Sequence, residues 1–594
     1  MFYGGDNYSD AGGYKKQREH LLRHSTWNLL VRLGAGAFET ISGEVVNAIL
    51  LTLSQFQVPD GHQLIALDVS ACSSAEEKAL ALRRDVLTAV GQSTQLDNPG
   101  SVIVLGNDVS PNKLGDFAIV QGGTTTGDAA LFRRQFWEVD QSSGAWAPQQ
   151  GTVSGTELYA GHELVLLWEG GRGQIAARTG GGGATVAGRD CWKKHGIAIA
   201  KTGSLYVTLY TGEVFENVAF VLIPKDPVHL AALWSFCSSP EFHEAVRSVN
   251  QAWCVDPGYY EMAPIDLAYW QAVARDQFPG GLPKPLSNAP TQWIFHGHPL
   301  PATDPLQVAV ARLLGYRWPA ERDEKMELGD DARAWVSRCA ELDPLCDDDG
   351  IVCLPAVRGE AVAVDRLRAL LARAFGADWS ASREAALLRE AGCDGLPLAQ
   401  WLRDKFFAQH VARFQKRPFI WHVWDGHKEG FSALVNVHTL TRAKLQTLIH
   451  TYLGDWITQQ KRAVDAGDGD ATLRLARAKG LNDKLEAILE GEEPYDIFVR
   501  WKPAHLQPIG WEPDLNDGVR MNIRPFVQAE VLRIPGRQLG IKWEPDRGKD
   551  VPSAPWFKLG PTYGEPEGTR INDHHLSLAD KQAARAKVSG GKKS

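Results

Sequence analysis

The chain has 594 residues, 44% apolar and 23% charged, enough for about three to five domains and more than one core. Its formal net charge of −8 excludes attraction of nucleic acid by the whole molecule, so any phosphate contact must come from local clusters of Lys and Arg. Its 8 cysteines form no Cys-x-x-Cys pair, its opening MFYGGDNYSDAGGYKK is polar, and its longest apolar run, 45–53, is too short for a bilayer, which argues against a zinc or disulfide framework, a signal peptide and a membrane span.

Residues 1–85 alternate short apolar strands, at 29–33, 48–53 and 63–69, with polar connections, and a helix begins near Ser74. The stretch VRLGAGAFETISGEVVNAILLTL places Gly34 and Gly36 between a strand and a second apolar run, 45–53, which reads as a buried strand or helix. A phosphate cradle at those glycines would need a third glycine, a helix start, and a Walker lysine or a ribose-binding acid, none of which follows. Three strands with so little helix cannot close a doubly wound sheet, so the chain is expected to begin inside an α/β domain.

From 86 to 295 the texture is α+β. Strands are expected at 115–120, 163–168, 196–200, 205–210 and 220–223, and helices at 229–238 and 240–249. The glycine run after Arg178 is the most flexible connection. Residues 296–416 read as helical: Val364, Leu367, Leu370, Leu371 and Phe375 form one stripe, and 398–414 forms a second helix. Asp347-Asp348-Asp349-Gly350 is a turn, because the other ligands of a calcium loop are absent. Residues 417–594 are dense in Trp, Pro and Asp, with helices at 442–460 and 471–489 and a basic end, 581–594, that should be mobile.

Several groups invite a chemical reading, and each has a plainer one. His422, His427 and His438 lack the Cys or carboxylate spacing of a metal set, so Trp421 to Asp425 reads as a buried aromatic strand. His296 and His298 fall in a turn, and Cys254 has no identifiable base, so it reads as a buried structural cysteine. Asp514, Asn516 and Asp517 suit acid–base or Mg²⁺ chemistry, and equally a turn held by side-chain bonds. Arg500, Lys502, Arg520, Arg524 and Arg547, interleaved with Trp501, Trp511 and Trp543, suit a nucleic-acid groove or local ion pairs. In Gly122 to Asp128 a Gly/Thr turn offers backbone N–H groups to a phosphate, and Arg133 and Arg134 follow on an aromatic frame. The alternative is a capped helix packed through Phe136 and Trp137.

Taken together, LGAGAFETISGEVVNAILLTL, GTTTGDAALFRRQFWEV, RPFIWHVWDGHKEGFSALVNVHTL, EGEEPYDIFVRWK, QPIGWEPDLNDGVRMNIRPF and RINDHH resemble one family. It is that of the large adenine-N6 DNA methyltransferases of type IIG restriction-modification systems and of BREX-type phage defence (PglX-like proteins). The resemblance implies a multidomain α/β plus α+β chain with four parts. These are a partial methyltransferase sheet (1–85), a target-recognition domain opened by the Thr-Thr-Gly-Asp segment (86–295), a helical spacer (296–416), and a mixed C-terminal module holding the W-x-P-D-x-N-D-G-V-R segment (417–594).

Enzymes of this family hold S-adenosylmethionine with a D-P-x-x-G-S-G-type loop and the extruded adenine with N-P-P-[YF]. Neither motif is here: Asn98-Pro99-Gly100 and Asn288-Ala289-Pro290 both lack the second proline and the ring. The resemblance thus implies a rear portion of such an enzyme, with no cofactor, metal or catalytic residue of its own. S-adenosylmethionine would belong to the complete enzyme, and a separate chain would carry the catalytic motifs. Double-stranded DNA is the expected partner, no membrane is involved, and the setting is cytoplasmic. The expected DNA contacts are Thr126, Gly127, Asp128, Arg133, Arg134, Arg178, Arg189, Lys193 and Lys194. The rival expectation is a non-catalytic scaffold derived from such a methyltransferase.

Overall fold

The computed structural model describes residues 15–540, with short interruptions of which 38–47 and 106–111 are the longest, and 557–590 apart from 559 and 570–576. It is a mixed α/β chain of several small sheets and many helices.

The first sheet contains β1 (Thr26–Gly34), β2 (Ala48–Ser54), β3 (Gln63–Asp68) and β4 (Thr88–Gly91), in the order β2-β1-β3-β4. β1 runs parallel to β3 and antiparallel to β2, and β4 is antiparallel to β3. The three expected strands are present, and Ser74 caps helix Ala75–Arg84 through a reciprocal bond with Glu77. The expected boundary at 85 cuts through this unit. β4 completes the sheet, Gln92 ties it to Trp27 and Leu22, and Leu105 belongs to its core. Nor is 45–53 a buried run: 45–47 lie outside the described residues, and β2 is a half-buried edge strand with Leu50 51% exposed. Leu80, Leu82, Val86 and Leu87 are also exposed, although Lys78 of the same helix is buried.

Two interlocked sheets follow. They are built from β5 (Ala118–Gln121), β6 (Arg133–Gln135), β7 (Trp146–Gln150), β8 (Leu164–Leu167), β9 (Gly196–Ala200), β10 (Val207–Tyr210), β11 (Val214–Phe215) and β12 (Ala219–Pro224). Their orders are β10-β9-β12-β5 and β11-β7-β8-β6. β9, β10 and β12 are buried at every position because both faces are covered. Helices Leu230–Cys237 and Leu267–Gln277 pack on Ile197, Ile199 and Phe220, while Cys191 and Phe215 pack on Ala198 and Val221. The strand expected at 115–120 opens instead with a helical turn, Leu114–Phe117, fixed by the Asp116 carboxylate accepting from the Lys113 N–H at 2.7 Å.

The rest of the chain forms one large core. A three-stranded sheet joins β13 (Ile351–Cys353), β14 (Ile420–Trp424) and β15 (Ser432–Asn436) in the order β13-β15-β14. The expected boundary at 416 therefore runs through a sheet, and the core reaches from Phe136 to Leu539. Asp347 closes the expected turn by accepting from the N–H groups of Asp349, Gly350 and Ile351. The helix expected at 398–414 breaks at Lys405 into Leu398–Asp404 and Phe406–Arg413. The end expected to be mobile is a helix, Leu578–Gly590, as far as 590. It is tied down by Lys581 donating to the Ile497 carbonyl at 3.0 Å and by Arg585 pairing with Glu512 at 2.9 Å. Among the described residues no helix is long and apolar enough to cross a membrane.

Candidate nucleic-acid interface

A small apolar cluster of Leu131, Phe132, Leu166, Ile175, Ala184 and Val214 underlies β6, β8 and β11, with Trp168 and Trp192 packed on its rim. The expected contact residues gather around it. Gly123 passes so close to β11 that a Cβ there would lie 2.3 Å from the Phe215 carbonyl oxygen, so only glycine fits. The N–H of Thr124 donates to that carbonyl at 2.7 Å, and Thr125 and Thr185 exchange bonds at 2.8 Å. At least these two N–H groups of the Gly/Thr turn are engaged within the protein, not offered outward. Gly127, at φ +70°, lies against the backbone of Gly183, and Asp128 caps helix Ala129–Phe132 by accepting from the Leu131 N–H. Thr126 and Asp128 are buried, whereas Gly127 is exposed.

The two adjacent arginines diverge. On one face of β6, Arg133 pairs with the buried Glu216 at 2.7 Å. On the other, Arg134 is buried, donates to the carbonyls of Ala130, Arg133 and Asp517, and stacks over Trp501 at 5.1 Å and Trp146 at 5.8 Å. Arg178 lies half-buried with its guanidinium 4.8 Å from the Phe132 ring. Arg189, Lys193 and Lys194 are exposed. The Arg189 guanidinium sits over Trp168 at 5.6 Å and Trp192 at 5.5 Å, and those indoles meet edge to face at 5.2 Å. Gly188 precedes it at φ +72°, where a Cβ would lie 2.2 Å from the Phe215 ring. The Lys193 N–H donates to the Gly212 carbonyl at 2.8 Å, which fixes the backbone beneath both lysines.

A second feature is a cavity of about 350 Å³ between this body and the C-terminal segment. Arg133, Arg134, Glu138, Arg417, Asp517 and Arg520 are among the residues that line it. The Asp514 to Gly518 turn is the structural one of its two readings: the Asp514 side chain accepts from the Asn516 N–H, and Lys502 bridges Asp514 and Asp517. Burial raises the Asp517 carboxyl above the ordinary range, and Lys502 counters part of that shift. Trp146 donates to Asn516 at 2.7 Å, the Val519 N–H donates to Glu138 at 3.1 Å, and Gly518 leaves room for the Arg134 side chain. The segment is thus a latch onto β6. Asn516-Asp517-Gly518 announces a turn in the sequence, but Trp146 and Glu138 stand too far away in sequence for any local signal. Trp511 is buried in the core, while Arg500, Trp543, Arg547 and RINDHH lie wholly or largely outside the described residues.

His296, His298 and His422 are buried within the fold, and His427 and His438 are half-buried. His422 lies inside β14 with neither ring nitrogen hydrogen-bonded among the described residues, and His438 bonds the Trp137 carbonyl at 2.8 Å. His296 and His298 are buried against Trp335. Among the described residues no three His, Cys, Asp or Glu side chains are placed to hold a metal. Cys254 is half-buried beside an indole, Trp253, that is 73% exposed, which corrects its reading as a buried residue. At Gly34, φ +71°, a Cβ would stand 2.7 Å from that of Ser70, so the glycine serves close packing of β1 against the residues after β3.

No family profile matches the chain. Over 149 residues, 23% of this chain and 12% of the relative, it is 27% identical to the adenine-specific methyltransferase BrxX of Escherichia coli O9:H4 (strain HS). Over 124 residues, 20% of this chain and 10% of the relative, it is 27% identical to the adenine-specific methyltransferase PglX of Lacticaseibacillus casei (strain Zhang). The aligned parts thus span about a tenth of each relative's length. A solved structure of the Type IIL restriction-modification enzyme MmeI in complex with DNA aligns at 11% identity and TM-score 0.23, over 62% of this chain and 46% of that one. The chain is distantly similar, over about a fifth of its length, to adenine-specific methyltransferases.

Proposed function

We propose that the chain is the DNA-binding, target-recognition portion of a site-specific adenine-N6 DNA methyltransferase of restriction-modification or BREX-type defence. Methyl transfer would come from a separate catalytic portion that binds S-adenosylmethionine. The observation that carries this reading is the convergence around one small apolar cluster of residues 126 to 194, with Arg189, Lys193 and Lys194 exposed on its rim. A molecule of net charge −8 binds duplex DNA only through such a local group. In this reading the two interlocked sheets form the target-recognition domain, the first sheet is the rear of the methyltransferase domain, and the core beyond 300 supports the target-recognition domain through Phe136, Trp137 and Val165. No step of the transfer is assigned to these residues.

The exposed Leu50, Leu80, Val86 and Leu87 favour a protein neighbour for the first sheet. β2 is an edge strand with neither charge nor proline, which suits pairing with a further strand. That agrees with a separate catalytic portion and also with the scaffold reading, and duplex binding separates the two.

Binding of a labelled duplex to the full chain should weaken steeply between about 50 and 200 mM salt. The double variant Lys193→Ala, Lys194→Ala should reduce the slope of log K against log salt by about 2 and leave the melting temperature unchanged. A salt-independent or undetectable interaction would refute the DNA-binding reading and leave the scaffold.

A further inference from the structure

We infer that Arg189 is a base-reading residue of this surface, presenting its guanidinium fork to the O6/N7 edge of a guanine, while Lys193 and Lys194 hold the flanking phosphates. The inference rests on the DNA-binding reading and adds a division of labour to it. Among the described residues no carboxylate pairs with Arg189, although Asp190 is its exposed neighbour. The forks of Arg133 and Arg134 are engaged by Glu216 and by three carbonyls.

An exposed arginine ordinarily keeps wide rotamer freedom. Here the guanidinium is held against two indoles that are themselves packed on the apolar cluster. Its backbone is held as well. Gly188 takes a left-handed conformation that a side chain would drive into Phe215, and its carbonyl accepts from the Cys191 N–H at 3.0 Å. The Arg189 carbonyl in turn accepts from the Trp192 backbone N–H at 3.2 Å. Such fixing adds little to a phosphate contact, which tolerates a mobile point charge, and adds much to a bidentate contact, whose two bonds demand one orientation. Arginine with guanine is the pairing that this geometry serves. The indoles, being half-buried, act as the support and not as the reader.

The test is selection of bound duplexes from a random pool by the full chain, followed by affinity measurements on single-base variants of the selected site. The wild type should select a guanine at one position. Arg189→Ala and Arg189→Lys should each lose roughly tenfold or more of that preference, keep the other positions, and melt like the wild type. Arg189→Lys should retain most of the overall affinity. If Arg189→Ala instead weakens all sequences equally and Arg189→Lys restores them, Arg189 is a phosphate contact and the inference fails while the DNA-binding reading stands. An unchanged site preference, or binding with no preference at all, overturns it in the same way. If the wild type binds no duplex, the underlying reading fails first.

Discussion

Arg134→Ala should destabilise the chain by about 2–4 kcal/mol and release the 514–519 latch, an effect on structure before any effect on DNA. Arg134 is buried, its donors serve the carbonyls of Ala130, Arg133 and Asp517, and its guanidinium lies over Trp501 and Trp146. A charged hydrogen bond of this kind contributes about 1.5–3 kcal/mol, and a desolvated cation–π contact up to about 2 kcal/mol. Truncation also leaves the Asp517 carbonyl facing an emptied wall of the cavity. Thermal or urea denaturation gives the loss directly, and limited proteolysis should show faster cleavage near Trp501 and Met521. Arg134→Lys should recover only part of the stability, because an ammonium cannot reach both sides of the seam. A variant that melts like the wild type and loses only duplex affinity would return Arg134 to the outer surface.

The contrast between Arg133 and Arg134 marks how far the sequence could be read. Both were expected to face a phosphate or a base, yet consecutive residues of a strand point to opposite faces, so one of them had to turn inward. Recognising 133–135 as a strand would have revealed this, but three residues are too few for a period to show. The same shortness hides Ile351–Cys353 inside a stretch that reads as helical. Longer elements were legible: 196–200 and 240–249 have their expected limits, because a continuous buried run and an amphipathic stripe are local properties. What stayed hidden is non-local. Trp168 and Trp192 meet only after the loops close, Glu216 neutralises Arg133 from just beyond β11, and Trp146 receives the latch from the far end of the chain. Charge alone could nominate Arg189, Lys193 and Lys194, but the indole support under Arg189 could not be read from any one segment.

Acidification should unfold the chain well above the pH at which ordinary carboxylates titrate, because several histidines are buried in the neutral form. Burial holds His162, His410 and His422 down to about 3 and His438 to about 4, against an ordinary 6.5. At His410 the bonding agrees: Nε2 accepts from the Ile420 N–H at 3.1 Å, so it carries no proton, and Nδ1 bonds the Gln307 side-chain oxygen at 3.2 Å. Below pH 6.5 the unfolded chain takes up protons that these rings refuse in the fold. Stability therefore falls with pH, by about 1.4 kcal/mol per unit for each histidine, until the folded values are reached. At pH 5 three such rings lose about 6 kcal/mol together, a large share of the 5–15 kcal/mol typical of a domain. Asp349, raised by burial to about 6, and Asp425 and Asp517, also raised by burial, act in the opposite sense. They bind protons more readily folded than unfolded, so their contribution is present at low pH, lost as pH rises, and offsets only part of the histidine effect. Urea midpoints should fall slightly from pH 8 to 6.5, by about 0.4 kcal/mol for each such histidine, and sharply from pH 6.5 to 5. His422→Phe, which replaces a ring with no hydrogen-bond partner among the described residues by an apolar ring of similar shape, should flatten the acid limb by one histidine's share. If the midpoint stays level down to pH 5, the rings accept protons within the fold and their apolar enclosure is wrong.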